Sequence, residues 1–264
     1  MKYVVFHKPL HVVSSRDDQK ERIVRAKASS KRKRSGFVEE AVVSRSIYDV
    51  ANEKGFDVKD LGLVGRLDAM TSGIMLFTDD AKLQSALLVP EDTLDGVESK
   101  PDKGGAADAK TARKYKTKVY TLDVLASPHH KWGTDWSETR QKALIEEMSA
   151  PISFSLAGVT YHTRPAEISF LERYRSDEHA HGGKGPVGGD LGWCAKLKIV
   201  LREGKHHQIR RLAARSKLIV RSLTRVSFAG GLLTIEEEGL REPGSGRHLS
   251  EAEILALRRA FLLD

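Results

Sequence analysis

The sequence predicts an α+β fold, and three observations carry that prediction. Short apolar runs bounded by turn residues recur along the chain, as strands do. Capped segments of helical period sit among them at irregular intervals. Strand and helix do not alternate in the regular way that builds a parallel βα sheet.

The elements can be justified in order. Tyr3-Val4-Val5-Phe6 is an apolar opening strand. Residues 15–40 are polar and charged, with Lys31-Arg32-Lys33-Arg34 at their centre. Three readings of that run stay open: a solvated loop, an RNA contact or a nuclear address. Ser46 and Asp49 resemble a capping pair at the start of a helix that Gly55 can close. The runs Leu61–Val64 and Gly73–Phe77 read as two strands flanking a Gly- and Thr/Ser-rich turn. Residues 90–112 read as a loop, 115–125 as a long strand, and 176–192, with two Gly-Gly pairs, as a hairpin excursion. Ser137 can cap a helix running to Met148 on Leu144, Ile145 and Met148. Trp193 to Leu201 alternates, placing Trp193, Ala195, Leu197, Ile199 and Leu201 on one half-buried face. Gly204 ends that strand, and Gln208 to Ser216 reads as a short helix with Ile209, Leu212 and Ala213 inward. Ser250 and Glu253 form a capping box for a last helix that buries Ile254, Leu257 and Phe261.

Composition narrows the function classes. At 264 residues the chain can bury a large core as one continuous unit. Lys and Arg total 44 against 36 Asp and Glu, a net charge of +8, which favours a polyanionic partner. The single cysteine, Cys194, excludes an internal disulfide and fits a reducing compartment. No apolar run approaches the roughly 20 residues of a membrane helix. The strand starting at residue 3 leaves no room for a signal peptide. The expectation is a soluble intracellular monomer, with cytoplasm, nucleus and organelle all open.

The turn carries the chemistry. Gly65-Arg66-Leu67-Asp68-Ala69-Met70-Thr71-Ser72-Gly73 puts a carboxylate between two buried strand ends, where it needs a partner or bears a desolvation cost. The bland reading is an Asp bonded to its own turn. The full string, however, resembles the central motif of the pseudouridine synthases, in particular the RsuA/RluB/RluE-type branch that modifies ribosomal RNA. Further resemblances follow in chain order. Tyr3–Pro9 is similar to the family's opening strand, with His7 where Asn is usual. Arg113-Lys114-Tyr115 resembles a Lys-x-Tyr element, and Glu203–Arg211 resembles the motif EGKxHQ[IV]RR. Leu223-Thr224-Arg225 and Arg247–Ser250 resemble weaker C-terminal elements. Met70 stands where the family usually has an acidic residue.

The resemblance implies a mixed, mainly antiparallel sheet split by a catalytic cleft, with helices packed on its outer side. Residues 1–264 then form a single catalytic domain without the S4 domain common in this branch, and 15–40, 90–112 and 176–192 become insertions. It implies that Asp68 is the catalytic carboxylate, that Arg210 pairs with it, and that Tyr115 stacks on the target base. Arg66 occupies the space the base leaves, and Lys205, His207, Gln208 and Ile209 belong to the substrate-binding element. The partner is RNA: ribosomal RNA is the family-level expectation, and transfer RNA is a second choice.

The residues support that chemistry independently. Converting uridine to its C-glycoside isomer needs an ionised carboxylate, whether it attacks the sugar, attacks the base or abstracts a ribose proton. All three routes stay open. Burial raises a carboxyl pKa and a nearby guanidinium counters the shift, which suits Arg210, although adjacent Arg211 offers the same charge. An isomerisation requires no redox cofactor, nucleotide or metal; no Walker loop or dinucleotide fingerprint is present. The paired histidines, 129–130 and 206–207, and the near pair 179 and 181 show no recognised zinc spacing. Two other classes remain. A non-catalytic RNA-binding or ribosome-assembly protein could retain the fold, but has no need of Asp68, Tyr115 and Arg210 together. A hydrolase using Asp68 with a histidine lacks a nucleophilic-serine motif.

Overall fold

The computed structural model describes residues 1–16, 45–88, 116–126, 136–175 and 193–263. The three segments read as insertions fall outside these ranges, apart from Ser15 and Arg16, and so does Tyr115.

The first part of the chain runs β1 (Tyr3–Lys8), β2 (Val12–Val13), β3 (Arg45–Ser46), α1 (Ile47–Glu53), β4 (Gly62–Leu63), β5 (Ser72–Thr78) and α2 (Ala81–Leu88). The second part runs β6 (Lys118–Ala126), α3 (Glu138–Ser149), β7 (Ser153–Leu156), β8 (Val159–His162), β9 (Glu167–Arg175) and β10 (Trp193–Leu201). It closes with α4 (Gln208–Arg215), β11 (Leu218–Phe228), β12 (Leu233–Thr234), β13 (Gly246–His248) and α5 (Glu251–Ala260). One mixed sheet has the order β13-β1-β5-β11-β6-β10-β9, with β4 beside β5 and β12 beside β11. Every pair in it is antiparallel except β5 with β11. That junction covers two positions only, Ser72 opposite Thr224 and Gly73 opposite Arg225.

Glycine is required at this seam. Gly73 has φ +127°, and a Cβ there would lie 2.4 Å from the Arg225 carbonyl oxygen. Arg225 is fully buried and donates from Nε and Nη2 to the Ile74 carbonyl at 2.9 and 2.6 Å. Its guanidinium also lies 4.5 Å from the Phe228 ring centroid. The two halves of the sheet are thus joined by a close backbone contact and one buried cation.

Alternation on the strands makes two cores. Val4, Phe6, Met75 and Phe77 join Tyr120, Leu122, Ala195, Leu197 and the helices α1, α3 and α4 on one face. Tyr3, Val5, Ile74 and Leu76 join α2 and α5 on the other. Strand β10 has the expected bounds and buries Ala195, Leu197, Ile199 and Leu201, but Cys194 on its opposite face is buried too. Strand β6 begins three residues later than expected.

The caps differ in detail. Ser46 accepts from the Tyr48 N–H, one residue short of the expected partner Asp49. Ser137 is the N-cap residue of α3 without a side-chain capping bond. The Ser250–Glu253 capping box forms as expected. Among the described residues no helix is long and apolar enough to cross a membrane.

Candidate active site

The turn between β4 and β5 is tied down from several directions. Ser14 Oγ donates to the Leu67 carbonyl at 2.8 Å and accepts from the Leu67 N–H at 3.1 Å. The His11 N–H donates to the Ala69 carbonyl at 2.8 Å, and the Thr71 N–H to the Asp68 carbonyl at 3.0 Å. From below, the fully buried Lys8 donates to the carbonyls of Pro9, at 2.8 Å, and Ala69, at 3.4 Å. Burial pushes the Lys8 pKa down to about 7, against the pull of the Asp68 charge. Leu67 is buried beside Asp68, whose own side chain stays 33 % exposed. A carboxylate is thereby presented to solvent from a backbone with little freedom.

The facing wall is the link from β10 into α4. Glu203 Oε1 accepts from the Arg164 N–H at 2.7 Å and from Gln208 Nε2 at 2.8 Å. The Gln208 side chain accepts in turn from the Lys205 N–H at 3.2 Å. Gln208 therefore braces the loop, and only part of it reaches the pocket. His207 is the N-cap residue of α4, in the left-handed region with φ 54°. Its ring stacks on His206 at 3.8 Å, and its Nε2 lies 3.4 Å from Asp68 Oδ1. Burial lowers the His207 pKa, with His206, Arg210 and Arg211 acting the same way and Asp68 opposing them. The ring is accordingly neutral at neutral pH.

Arg210 approaches the Asp68 turn through its backbone. Nη2 donates to the Met70 carbonyl, and Nε is buried with no partner among the described residues. Burial lowers the Arg210 pKa and the Asp68 charge raises it, but no ion pair joins the two side chains. The expected pair is therefore close without being in direct contact.

Between the walls lies a cavity of about 260 Å³. It gathers Arg66, Asp68, Lys205, His207, Gln208, Ile209 and Arg210, seven of the residues expected from the sequence. The eighth, Tyr115, lies outside the described residues. Tyr120 lines the cavity as well as these seven, and no role was expected of it ahead of Tyr115. The signal was present, because Lys118-Val119-Tyr120 has the Lys-x-Tyr spacing. Tyr120 is buried opposite Arg225, its cross-strand neighbour on β11. Burial raises the Tyr120 pKa, so the phenol is neutral. Leu223, the first residue of the Leu-Thr-Arg element, and Leu201, which no motif announced, add apolar lining. Among the described residues no group of three or more His, Cys, Asp or Glu could hold a metal ion.

The sequence profile described as RNA pseudouridylate synthase matches residues 2–215. The chain belongs to the RNA pseudouridylate synthase family. It is thus an isomerase acting on RNA. It is 23% identical over 256 residues to ribosomal small subunit pseudouridine synthase A of Vibrio cholerae, across 97% of this chain and 74% of that protein. A crystal structure of a pseudouridylate synthase superposes with a TM-score of 0.52 at 21% identity, covering 97% of this chain and 73% of that one. That likeness establishes the pseudouridine synthase fold, in which the seam between β5 and β11 brings the two walls of the cavity together.

Proposed function

We propose that this protein isomerises a specific uridine in structured RNA, ribosomal RNA in the first instance, with Asp68 as the reactive carboxylate. The observation that carries the reading is the placement of Asp68, the one carboxylate among the described residues that line the cavity, opposite a wall of His207, Lys205 and Arg210. The printed name of the Vibrio cholerae relative, a ribosomal small subunit enzyme, supports the choice of RNA.

Reaching a uracil means extruding it from its stack, at a cost of a few kcal/mol. Arg66, exposed on the cavity rim, fills the vacated space. Tyr120 gives the extruded base a face to lie on, an interaction worth about 1–3 kcal/mol. Arg210 supplies positive charge on the Asp68 side of the cavity, and its bond to the Met70 carbonyl fixes it against the turn. His207, neutral and 3.4 Å from the carboxylate, orients it without neutralising it.

In the reaction the N1–C1′ glycosidic bond breaks, the base rotates, C5 bonds to C1′, the C5 proton leaves to solvent and N1 ends protonated, so the product is an isomer of the substrate. The direct test is tritium release from RNA labelled at uridine C5, with ribosomal and transfer RNA transcripts as separate substrates. Release from the ribosomal transcript supports the full reading. Release from transfer RNA alone corrects the substrate. Tight RNA binding without release from either moves the protein to the non-catalytic alternative.

A further inference from the structure

The β7–β8 ribbon stands beside the cavity without being part of it. Its two-residue turn, Ala157-Gly158, has both φ angles positive (50° and 80°), the geometry of the tight primed turns that suit a twisted hairpin. Its base is fastened. The Ile152 N–H donates to Thr163 Oγ1 at 2.9 Å, and the Thr163 N–H to the Ile152 carbonyl at 2.9 Å. Arg215 donates to the carbonyls of Ala150 and Pro151 at 2.9 and 3.0 Å, binding the ribbon's entry to the end of α4. The Arg164 bond to Glu203 ties the ribbon's exit to the cavity wall.

One face of this fixed ribbon is apolar and largely uncovered. Phe154 and Tyr161 pair across the strands with rings 5.4 Å apart, and Leu156 and Val159 at the tip are exposed. Arg211 is the group that meets it. Its guanidinium lies 4.0 Å from the Phe154 centroid, and its Nε donates to the His206 carbonyl at 3.2 Å. His206 lines the cavity, so the Arg211–Phe154 pair sits one residue from the candidate active site. No acidic residue occurs between Glu147 and Glu167, which leaves the ribbon free of charge that would repel a phosphate chain.

We propose that Arg211, backed by Phe154, is a stacking platform for an unpaired base of the RNA flanking the target uridine. The inference rests on reading the cavity as a site of RNA isomerisation. A guanidinium seated over a ring on one side has a second face for a base, and unpaired RNA bases stack on guanidinium planes. The neighbouring Lys205, on the rim of the same cavity, adds positive charge for the phosphates of that strand. Extruding one uridine leaves its neighbours without a stacking partner, and a platform beside the cavity replaces what they lose.

The test uses the full chain and a short, fluorescently labelled single-stranded RNA of mixed sequence, with the same strand in duplex as a second probe. Arg211→Lys keeps the charge and removes the plane. Phe154→Leu keeps the ribbon apolar and removes the backing ring. Each should weaken single-strand binding about 5- to 100-fold, the range of one stacked base, and Arg211→Lys should leave the salt dependence unchanged. Ser155→Ala, on the ribbon's other face, should bind as the wild type does. In turnover, KM should rise with little change in kcat. The proposal is overturned by wild-type affinity in both variants, by an equal loss on duplex, by no single-strand binding in the wild type, or by a pure kcat defect. Tritium release by the wild-type protein reports separately on the isomerase reading, so the two can fail independently.

Discussion

On one side of the cavity, Asp68 rides on a turn fixed by bonds to backbone atoms: Ser14 to Leu67, His11 and Lys8 to Ala69, and the Thr71 N–H to the Asp68 carbonyl. On the other, His206, His207 and Arg210 are charged or titratable side chains gathered at a helix start, with His207 in a left-handed conformation. Asp68 has no ion pair with Arg210 and only a 3.4 Å approach from His207. The difference separates two tasks. The fold itself places the carboxylate, whereas the basic wall sets the electrostatic field around it and leaves room for a substrate to enter.

If that division is right, the first wall should fail through stability and the second through rate. The largest effect is expected at the seam that positions the Asp68 turn. Gly73→Ala forces a positive φ and a 2.4 Å approach to the Arg225 carbonyl, and should cost more than about 4 kcal/mol in urea unfolding. A variant of near-normal stability would mean that the seam can open without disturbing the halves.

Arg210→Met should do the opposite. Its fold and melting point should stay close to the wild type, while turnover falls about 100-fold, the scale of losing one preorganised charged donor. A large stability loss with normal turnover per folded molecule would place Arg210 with the structural wall instead.

Lys8 sharpens the comparison through pH. Its folded pKa, about 7, lies below that of an unfolded lysine, near 10.4. Between those values the unfolded chain binds more protons, so wild-type stability rises with pH, and the burial cost is felt in full below pH 7. Lys8→Met lacks this dependence. The wild type should therefore gain about 1.5 kcal/mol on the variant between pH 7 and 8.5 in paired denaturation curves. A constant difference across that range would mean that Lys8 keeps its proton when buried.

The sequence made the two walls legible to different degrees. The Asp68 turn was readable because a turn between two apolar runs has few alternatives, and β5 and β10 formed with the expected cores. The basic wall was readable as a string, Lys205 to Arg210, but not as geometry, since the Gln208 bond to Glu203 and the Arg210 bond to Met70 depend on long-range packing. Tyr115 follows Lys114 directly and Tyr120 follows Lys118 after one residue, so the chain offers two tyrosines for one stacking role, and of the two only Tyr120 lies among the described residues. The β7–β8 ribbon went unread. Ser153-Phe154-Ser155-Leu156 and Val159-Thr160-Tyr161-His162 do alternate, but each strand is only four residues long, and the ribbon is held by Arg215 and Glu203 elsewhere in the chain. The burial of Arg225 was invisible for the same reason, as an arginine in a strand ordinarily reads as exposed.

Asp68, proposed as the reactive carboxylate of this RNA pseudouridine synthase, can be tested by a single substitution. Asp68→Asn keeps the size of the side chain and removes its charge. With ribosomal RNA tritiated at uridine C5, the wild type should release tritium and form pseudouridine. The folded Asp68→Asn protein should bind the same RNA with similar affinity and release none. Substantial release by a pure, folded Asp68→Asn sample would contradict the account.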